Sequence, residues 1–402
     1  MSFDKEIDFI EKNNLSTPIM FFNETLALEP LNLIKQHLKN VEIYYAVKSC
    51  YNVPLLRFFA QQKIGAEVMS ELEFDLAKKC KFNNIIVNGM GRSFSFTEKV
   101  LNSTDTIFIV DSNRDLDIVK KFLEKNKRKN CRLGIRIRLN DKKKNYSDNH
   151  YLDPLNKLGN YIDSDVYGNF LSLIETENRA IWDIVHLHFT INELNPSVYT
   201  KAIEEVKQHI DLIKKQKNIY PKRVDLGGGF EVYSKDLVDK FKTLFMEIEK
   251  SFSKNFSYQK LVVEPGRFLS AYSGYVFGKI IDIKQVQHKY WLITDIGTNV
   301  LIPNSNARYK LLYPKPSISG HLVGVTDGIT SGVNNVIERE YLKNLPNIGD
   351  YMVVGNVGGY TDVYSTFWGY SPFVVCNKYE NSKIKITRTI KDIKKLHKIF
   401  FK

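Results

Sequence analysis

Lys48 closes an apolar run in VEIYYAVKSC, residues 41–50. A lysine ammonium is too costly inside such a run unless it sits at its mouth, so Lys48 is either a surface stop or a reagent. The same pattern recurs along the chain. Glu67 and Ser70 follow the run IGA, Arg136 and Arg138 end RLGIRIR, and His186 and His188 end DIVHLH. Gly227-Gly228-Gly229 follow KRVDL, and Glu264-Pro265-Gly266-Arg267 follow KLVV. A lysine kept partly neutral attacks carbonyl carbon, and a glycine-rich turn with an arginine offers backbone N–H groups and a guanidinium to a phosphate. Each residue alone has a plain structural explanation. Their shared position after apolar runs is what calls for a common one.

The elements that would place them are short and regular. Apolar runs fall at about 42–47, 64–69, 84–88, 106–110, 132–138, 183–189, 222–226 and 260–264, eight in all. Most intervals carry helix-period segments such as PLLRFFAQQ, ELEFDLAKKC and PSVYTKAIEEVKQHIDLIKKQ. Strand–helix alternation implies right-handed crossovers and a parallel sheet, and eight units in this length fit an α/β fold of the closed (β/α)8 barrel type. After about residue 270 the texture changes to strands such as SGYVFGKIIDIKQV, KYWLITDIG and FVVCNKY, with no long helix expected. The expected organisation is a barrel over 24–268 and a mostly-β domain formed by 1–23 with 269–402. Residues 141–162 read as an irregular insertion.

Barrel enzymes build their sites at the C-terminal strand ends, and loops after the seventh and eighth strands often hold phosphate. A phosphate cradle facing a lysine points to pyridoxal 5'-phosphate, with Lys48 as its Schiff-base lysine. Glu264 would keep the pyridine nitrogen protonated, and His188 would lie over the ring with its flat face. A metal reading of His186-x-His188 is weaker, and no metal is expected. The tyrosine-rich composition and 43% apolar residues describe an ordinary globular protein, and the net charge of +13 is spread along the chain rather than gathered for nucleic acid. Four scattered cysteines with no CxxC pair indicate neither a disulfide framework nor a zinc knuckle. No apolar run is long enough to span a bilayer, and the acidic start MSFDKEIDFIEKNN lacks the order of a signal peptide, so a cytoplasmic protein is expected.

In order, YYAVKSC, AEVMSELEFDLA, RIRLND, NKLGN, HLHF, VDLGGGF, VVEPGRF and NVGGYTDVY resemble the fold-type III pyridoxal-phosphate decarboxylases, the group of ornithine and diaminopimelate decarboxylases. The resemblance spans nearly the whole chain. It implies Lys48 as the Schiff-base lysine with Glu67 near it and His188 on the ring. It also implies Gly227, Gly228, Gly229, Gly266 and Arg267 on phosphate, Glu264 on the ring nitrogen, Tyr360 near the phosphate, and Arg138 among the cofactor contacts. It further implies a homodimer with shared active sites and an amino-acid-type substrate, with no membrane or nucleic-acid partner.

The departures are local. In GVTDGITSG, Asp327 stands where the family places its acid cysteine, and Ser331 falls near the family's aspartate, which makes Asp327 the candidate proton donor. Trp368 replaces a usual asparagine, Thr190-Ile191 replace a phosphate-holding Gly-Ser, and IGTNVLIPNSNARY lacks an Arg-Pro that would meet a substrate carboxylate. These changes argue against ornithine and diaminopimelate and for a larger amino-acid conjugate from a biosynthetic pathway. A racemase and a non-catalytic paralogue are the alternatives; Glu264, in place of the racemases' arginine, favours decarboxylation.

Overall fold

Eight parallel strands close on themselves, at Val41–Ala46, Gly65–Val68, Ile85–Val87, Thr106–Val110, Cys131–Arg136, Ala180–His186, Arg223–Asp225 and Lys260–Val263. The first strand pairs with the eighth from Val41 opposite Leu261 to Ile43 opposite Val263, which completes the barrel. The computed structural model describes residues 3–139, 157–302, 306–328 and 335–401. Ser331 and most of the insertion at 141–162 lie outside the described residues.

The barrel strands are buried along nearly their whole length, as expected where helices cover one face and packed side chains fill the other. Tyr44, Ile86, Ile107, Ile109, Ile184 and Val262, from five of the eight strands, form one buried cluster. Two strand positions have no room for a side chain: a Cβ at Gly65 would meet the Tyr44 ring, and one at Gly134 would meet Ile184 and Ile109. The helices between strands start at capping side chains. Asn52, Ser70, Ser93, Ser112, Ser164 and Asn195 each accept a backbone N–H in the first turn, worth about 1 kcal/mol apiece. Such caps fix where each strand-to-helix loop ends, and those loops carry the chemistry.

The chain divides into two compact units, Leu31–Phe268, and Met1–Pro30 with Leu269–Lys402. In the second unit, strand Ile19–Asn23 lies between Gly274–Val286, antiparallel, and Val374–Lys378, parallel. Its core gathers Phe3, Ile19, Phe21, Tyr275, Phe277 and Cys376, with the Phe21 and Tyr275 rings stacked at 5.6 Å. The basic tail forms a helix, Ile390–Phe400, opened by a capping box between Thr389 and Asp392.

Candidate active site

Lys48 lies in a 3-10 turn, Val47–Ser49, directly after the first barrel strand. The turn is pinned by a 2.7 Å hydrogen bond between the buried Tyr45 hydroxyl and Ser49 Oγ. The Lys48 Nζ donates to Glu67 Oε2 at 3.0 Å; the glutamate is fully buried and the lysine side chain 24% exposed. Burial pushes the Glu67 carboxyl up to about 7 against the pull of Lys48. Glu73, on the helix after the second strand, holds the adjoining loop by accepting from Met69 N at 2.8 Å and the Tyr51 hydroxyl at 2.7 Å.

The triglycine follows the seventh strand with Gly227 at φ +70° and Gly229 at φ +83°, the left-handed region that glycine alone enters freely. A Cβ would strike Leu187 O at Gly227, Glu264 O at Gly228 and Thr190 O at Gly229. Gly227 N donates to Asp225 Oδ1 at 2.8 Å, and Gly227 O accepts from Glu264 N at 2.8 Å, which joins the two glycine-bearing strand ends. Behind them Tyr199, Phe230 and Phe268 pack ring against ring, Tyr199 stacked on Phe230 at 5.4 Å. At Gly266 a Cβ would sit 3.1 Å from both Ala46 and Ser49 Cβ, so this turn abuts the turn that carries Lys48. Arg267 donates to Asn192 Oδ1 at 3.1 Å.

Glu264 is 3% exposed, with Oε2 at 3.3 Å from His186 Nε2. Burial alone would raise its carboxyl, but His186, Lys48 and a hydrogen bond from Asp225 hold it down to about 2. Burial lowers the His186 imidazole against the pull of Glu264. The His188 imidazole is pushed well below its usual range by burial, Arg136 and Lys48. Its Nδ1 accepts from Gly228 N at 3.4 Å. Among the described residues, no N–H or hydroxyl group reaches the Oε1 atom of Glu264. A buried ionised carboxylate with a free oxygen, a glycine cradle with no room for a Cβ, and a lysine at the strand mouth are together suited to a group that carries a protonated ring nitrogen, a phosphate and an aldehyde. Pyridoxal phosphate carries all three.

Lys48, Glu67, His188, Gly227, Gly228, Gly229, Glu264, Gly266 and Arg267 thus share one end of the barrel. Arg138 lies elsewhere: its guanidinium is 4.9 Å from the Tyr161 ring centroid, and it lines a groove with Glu205, Gln208 and His209. Arg136, at the true end of the fifth strand opposite His186, is buried and acts electrostatically on both His186 and His188. Asp327 ends strand His321–Asp327 in the second unit, where its buried Oδ2 accepts from Thr298 N at 2.8 Å and Thr298 Oγ1 at 2.9 Å. Tyr360, in the same unit, has φ +58° and stacks on Tyr364 at 6.1 Å; Trp368 is exposed. Asp225, Asn88 and Asn192 were not foreseen. Asn88 follows the third strand and lies with Nδ2 at 3.1 Å from His186 Nε2, so its place just after an apolar run was the available signal.

A closed parallel barrel with lysine, glycine cradle and buried acid at its strand ends defines a pyridoxal-phosphate enzyme. Residues 28–271 match the family described as pyridoxal-dependent decarboxylase, pyridoxal binding domain, and the chain belongs to that family. It is 24% identical to diaminopimelate decarboxylase of Aquifex aeolicus over 389 residues, 92% of this chain and 89% of that enzyme. It is 27% identical to 2-[(L-alanin-3-ylcarbamoyl)methyl]-2-hydroxybutanedioate decarboxylase of Staphylococcus aureus over 275 residues, 64% of this chain and 65% of that enzyme. The structure of diaminopimelate decarboxylase from M. jannaschii with L-lysine superposes with a TM-score of 0.83 at 20% identity, covering 96% of this chain and 93% of that one, which shows the shared fold. The protein is a pyridoxal-phosphate-dependent decarboxylase. No helix among the described residues is long and apolar enough to cross a membrane.

Proposed function

We propose that this decarboxylase acts on an amino acid held within a larger conjugate, as a cytoplasmic homodimer, with Lys48 as the residue that attaches the cofactor. The observation that carries the site assignment is Glu264, buried and ionised at the same barrel end as Lys48. When bound, pyridoxal phosphate supplies a conjugated ring that accepts the electron pair left as a carboxylate departs as CO2. Glu264 holds the proton on the ring nitrogen, which a neutral or basic residue would not do. The glycine turn Gly227 to Gly229, through the Gly229 N–H, and the Arg267 guanidinium would hold the phosphate. His188, neutral and half-buried, offers a flat face to the ring. Glu67 Oε2 takes a proton from Lys48 Nζ across 3.0 Å, which leaves the amine able to attack.

Asp327 remains the candidate for the acid that returns a proton to carbon, a role for which Lys48 and a bound water are the competitors. The substrate class is supported by the lost recognition residues: an exposed Trp368 for asparagine, and no Arg-Pro in IGTNVLIPNSNARY. It is supported also by the S. aureus relative, whose name describes an alanine joined through a carbamoyl group. The natural protein should be yellow and Lys48→Ala colourless. Offered ornithine, diaminopimelate, lysine and a set of amide-linked amino acids, the natural protein should release CO2 fastest from an amide-linked one, read by product mass. A free diamino acid as the best substrate would refute the substrate class. A colourless natural protein that takes up no added cofactor would refute the site, and a monomer by sedimentation would refute the shared-site dimer.

A further inference from the structure

Asp225 ends the seventh barrel strand, opposite His186 of the sixth, and its side chain is wholly buried. One oxygen, Oδ1, accepts from Gly227 N at 2.8 Å; the other, Oδ2, has no donor. Oε1 of Glu264 likewise has no donor, and ligand atoms of His186, Asp225 and Glu264 all lie within 4.8 Å of one another. Glu67 adds a third buried carboxyl whose charge reaches both Asp225 and Glu264. Lys48 pairs with this group through Glu67, and the buried Arg136 acts on its histidine. Two carboxylates set side by side out of water do not both ionise, because neither has solvent or enough donors to offset the repulsion. One proton must lie on one of them.

The surroundings decide which. Glu264 has the His186 ring nitrogen at 3.3 Å and the charge of Lys48 in its favour, whereas Asp225 has one backbone N–H. We infer that Asp225 is a positioning residue present as the neutral carboxylic acid, donating its hydrogen bond to Glu264 while accepting from Gly227. Burial first, and then the charge of Glu264, drive the Asp225 carboxyl well above its usual range, in the same direction. One side chain then sets two ends of the cofactor site: the first glycine of the phosphate cradle through Oδ1, and the acid that meets the ring nitrogen through its O–H. The inference rests on the proposed cofactor site for the second of these. The competing arrangement is a divalent cation held by His186, Asp225 and Glu264, and it requires Asp225 to be an anion.

An amide has the shape and hydrogen-bonding of the neutral acid, so asparagine separates the two. Asp225→Ala should weaken pyridoxal phosphate binding about tenfold to a hundredfold, the loss expected for one hydrogen bond to a charged group. Asp225→Asn should restore affinity and turnover to within about tenfold of the natural protein, since its amide donates to Glu264 and its carbonyl accepts from Gly227. The infrared spectrum of cofactor-free protein at pH 8 should show the carbonyl band of an un-ionised carboxylic acid that Asp225→Asn lacks. An asparagine variant as impaired as alanine, or no band difference, would overturn the inference. So would Zn2+ alone binding to the natural protein and failing to bind Asp225→Asn. A natural protein with the band but no uptake of cofactor would leave Asp225 protonated, refute the cofactor site and remove the positioning role.

Discussion

Glu264→Gln tests the electrostatics of the site at its centre. The carboxyl is fully buried, yet its neighbours bring it from the usual 4.5 to about 2. At about 1.4 kcal/mol per tenfold, that is about 3 kcal/mol in favour of the charged form. An amide of the same size accepts a hydrogen bond from a protonated ring nitrogen but does not keep it protonated. Cofactor binding should therefore weaken modestly, whereas CO2 release in a single turnover should fall about a hundredfold or more. The same charge enters stability with a defined sign. Because the folded carboxyl is depressed, its contribution is present above the unfolded value of 4.5 and is lost as pH falls through about 2. Urea unfolding of cofactor-free protein at pH 6 and pH 3 should show the natural protein losing about 2 kcal/mol that Glu264→Gln does not lose. Turnover of the glutamine variant within about tenfold of the natural protein, at saturating cofactor, would refute the assignment of Glu264 to the ring nitrogen.

Gly229→Ala places a methyl against Thr190 O at φ +83°, so it should cost about 1–3 kcal/mol of stability and raise the cofactor dissociation constant more than Gly228-neighbouring surface changes do, checked by thermal unfolding and by titration of the visible band. Asp327→Asn keeps an oxygen acceptor for Thr298 N and Oγ1, so the fold should survive; if Asp327 is the acid, CO2 release slows and products protonated at the wrong carbon appear, while clean product at an undiminished rate removes it from the mechanism.

The barrel was legible because its strands are buried on both faces and so appear as continuous β-branched runs, each ended by a residue that such a run does not tolerate inside. All eight runs are strands, to within a few residues. The site was legible to the same depth, since strand ends are where a barrel places its chemistry. Arg136 and Arg138 mark where that reasoning stops. The run RLGIRIR alternates without a break, and only the pairing of Arg136 with His186 shows that the strand ends there and the chain then turns to Asn160. Asp225 was hidden for another reason: it closes the run KRVDL two residues ahead of the triglycine, which drew attention to itself, and its proton depends on Glu264, thirty-nine residues further on, which no local pattern reports. The helix at Ile390–Phe400 was hidden by its lysines, which gave the tail the look of a charge run.

The place of strand Ile19–Asn23 has a consequence for how the chain is made. It sits between Gly274–Val286 and Val374–Lys378, and the terminal hairpin Val374–Arg388 joins its sheet through this strand. As the chain leaves the ribosome, the first strand emerges before the whole barrel and waits for partners some 250 residues later. Through that interval it is an unpaired apolar strand, IMFFN, of the kind that joins foreign edges, while the barrel completes itself without it. This sheet is thus begun by a strand made long before its partners, and synthesis rate and chaperone cover over that wait should bear on yield.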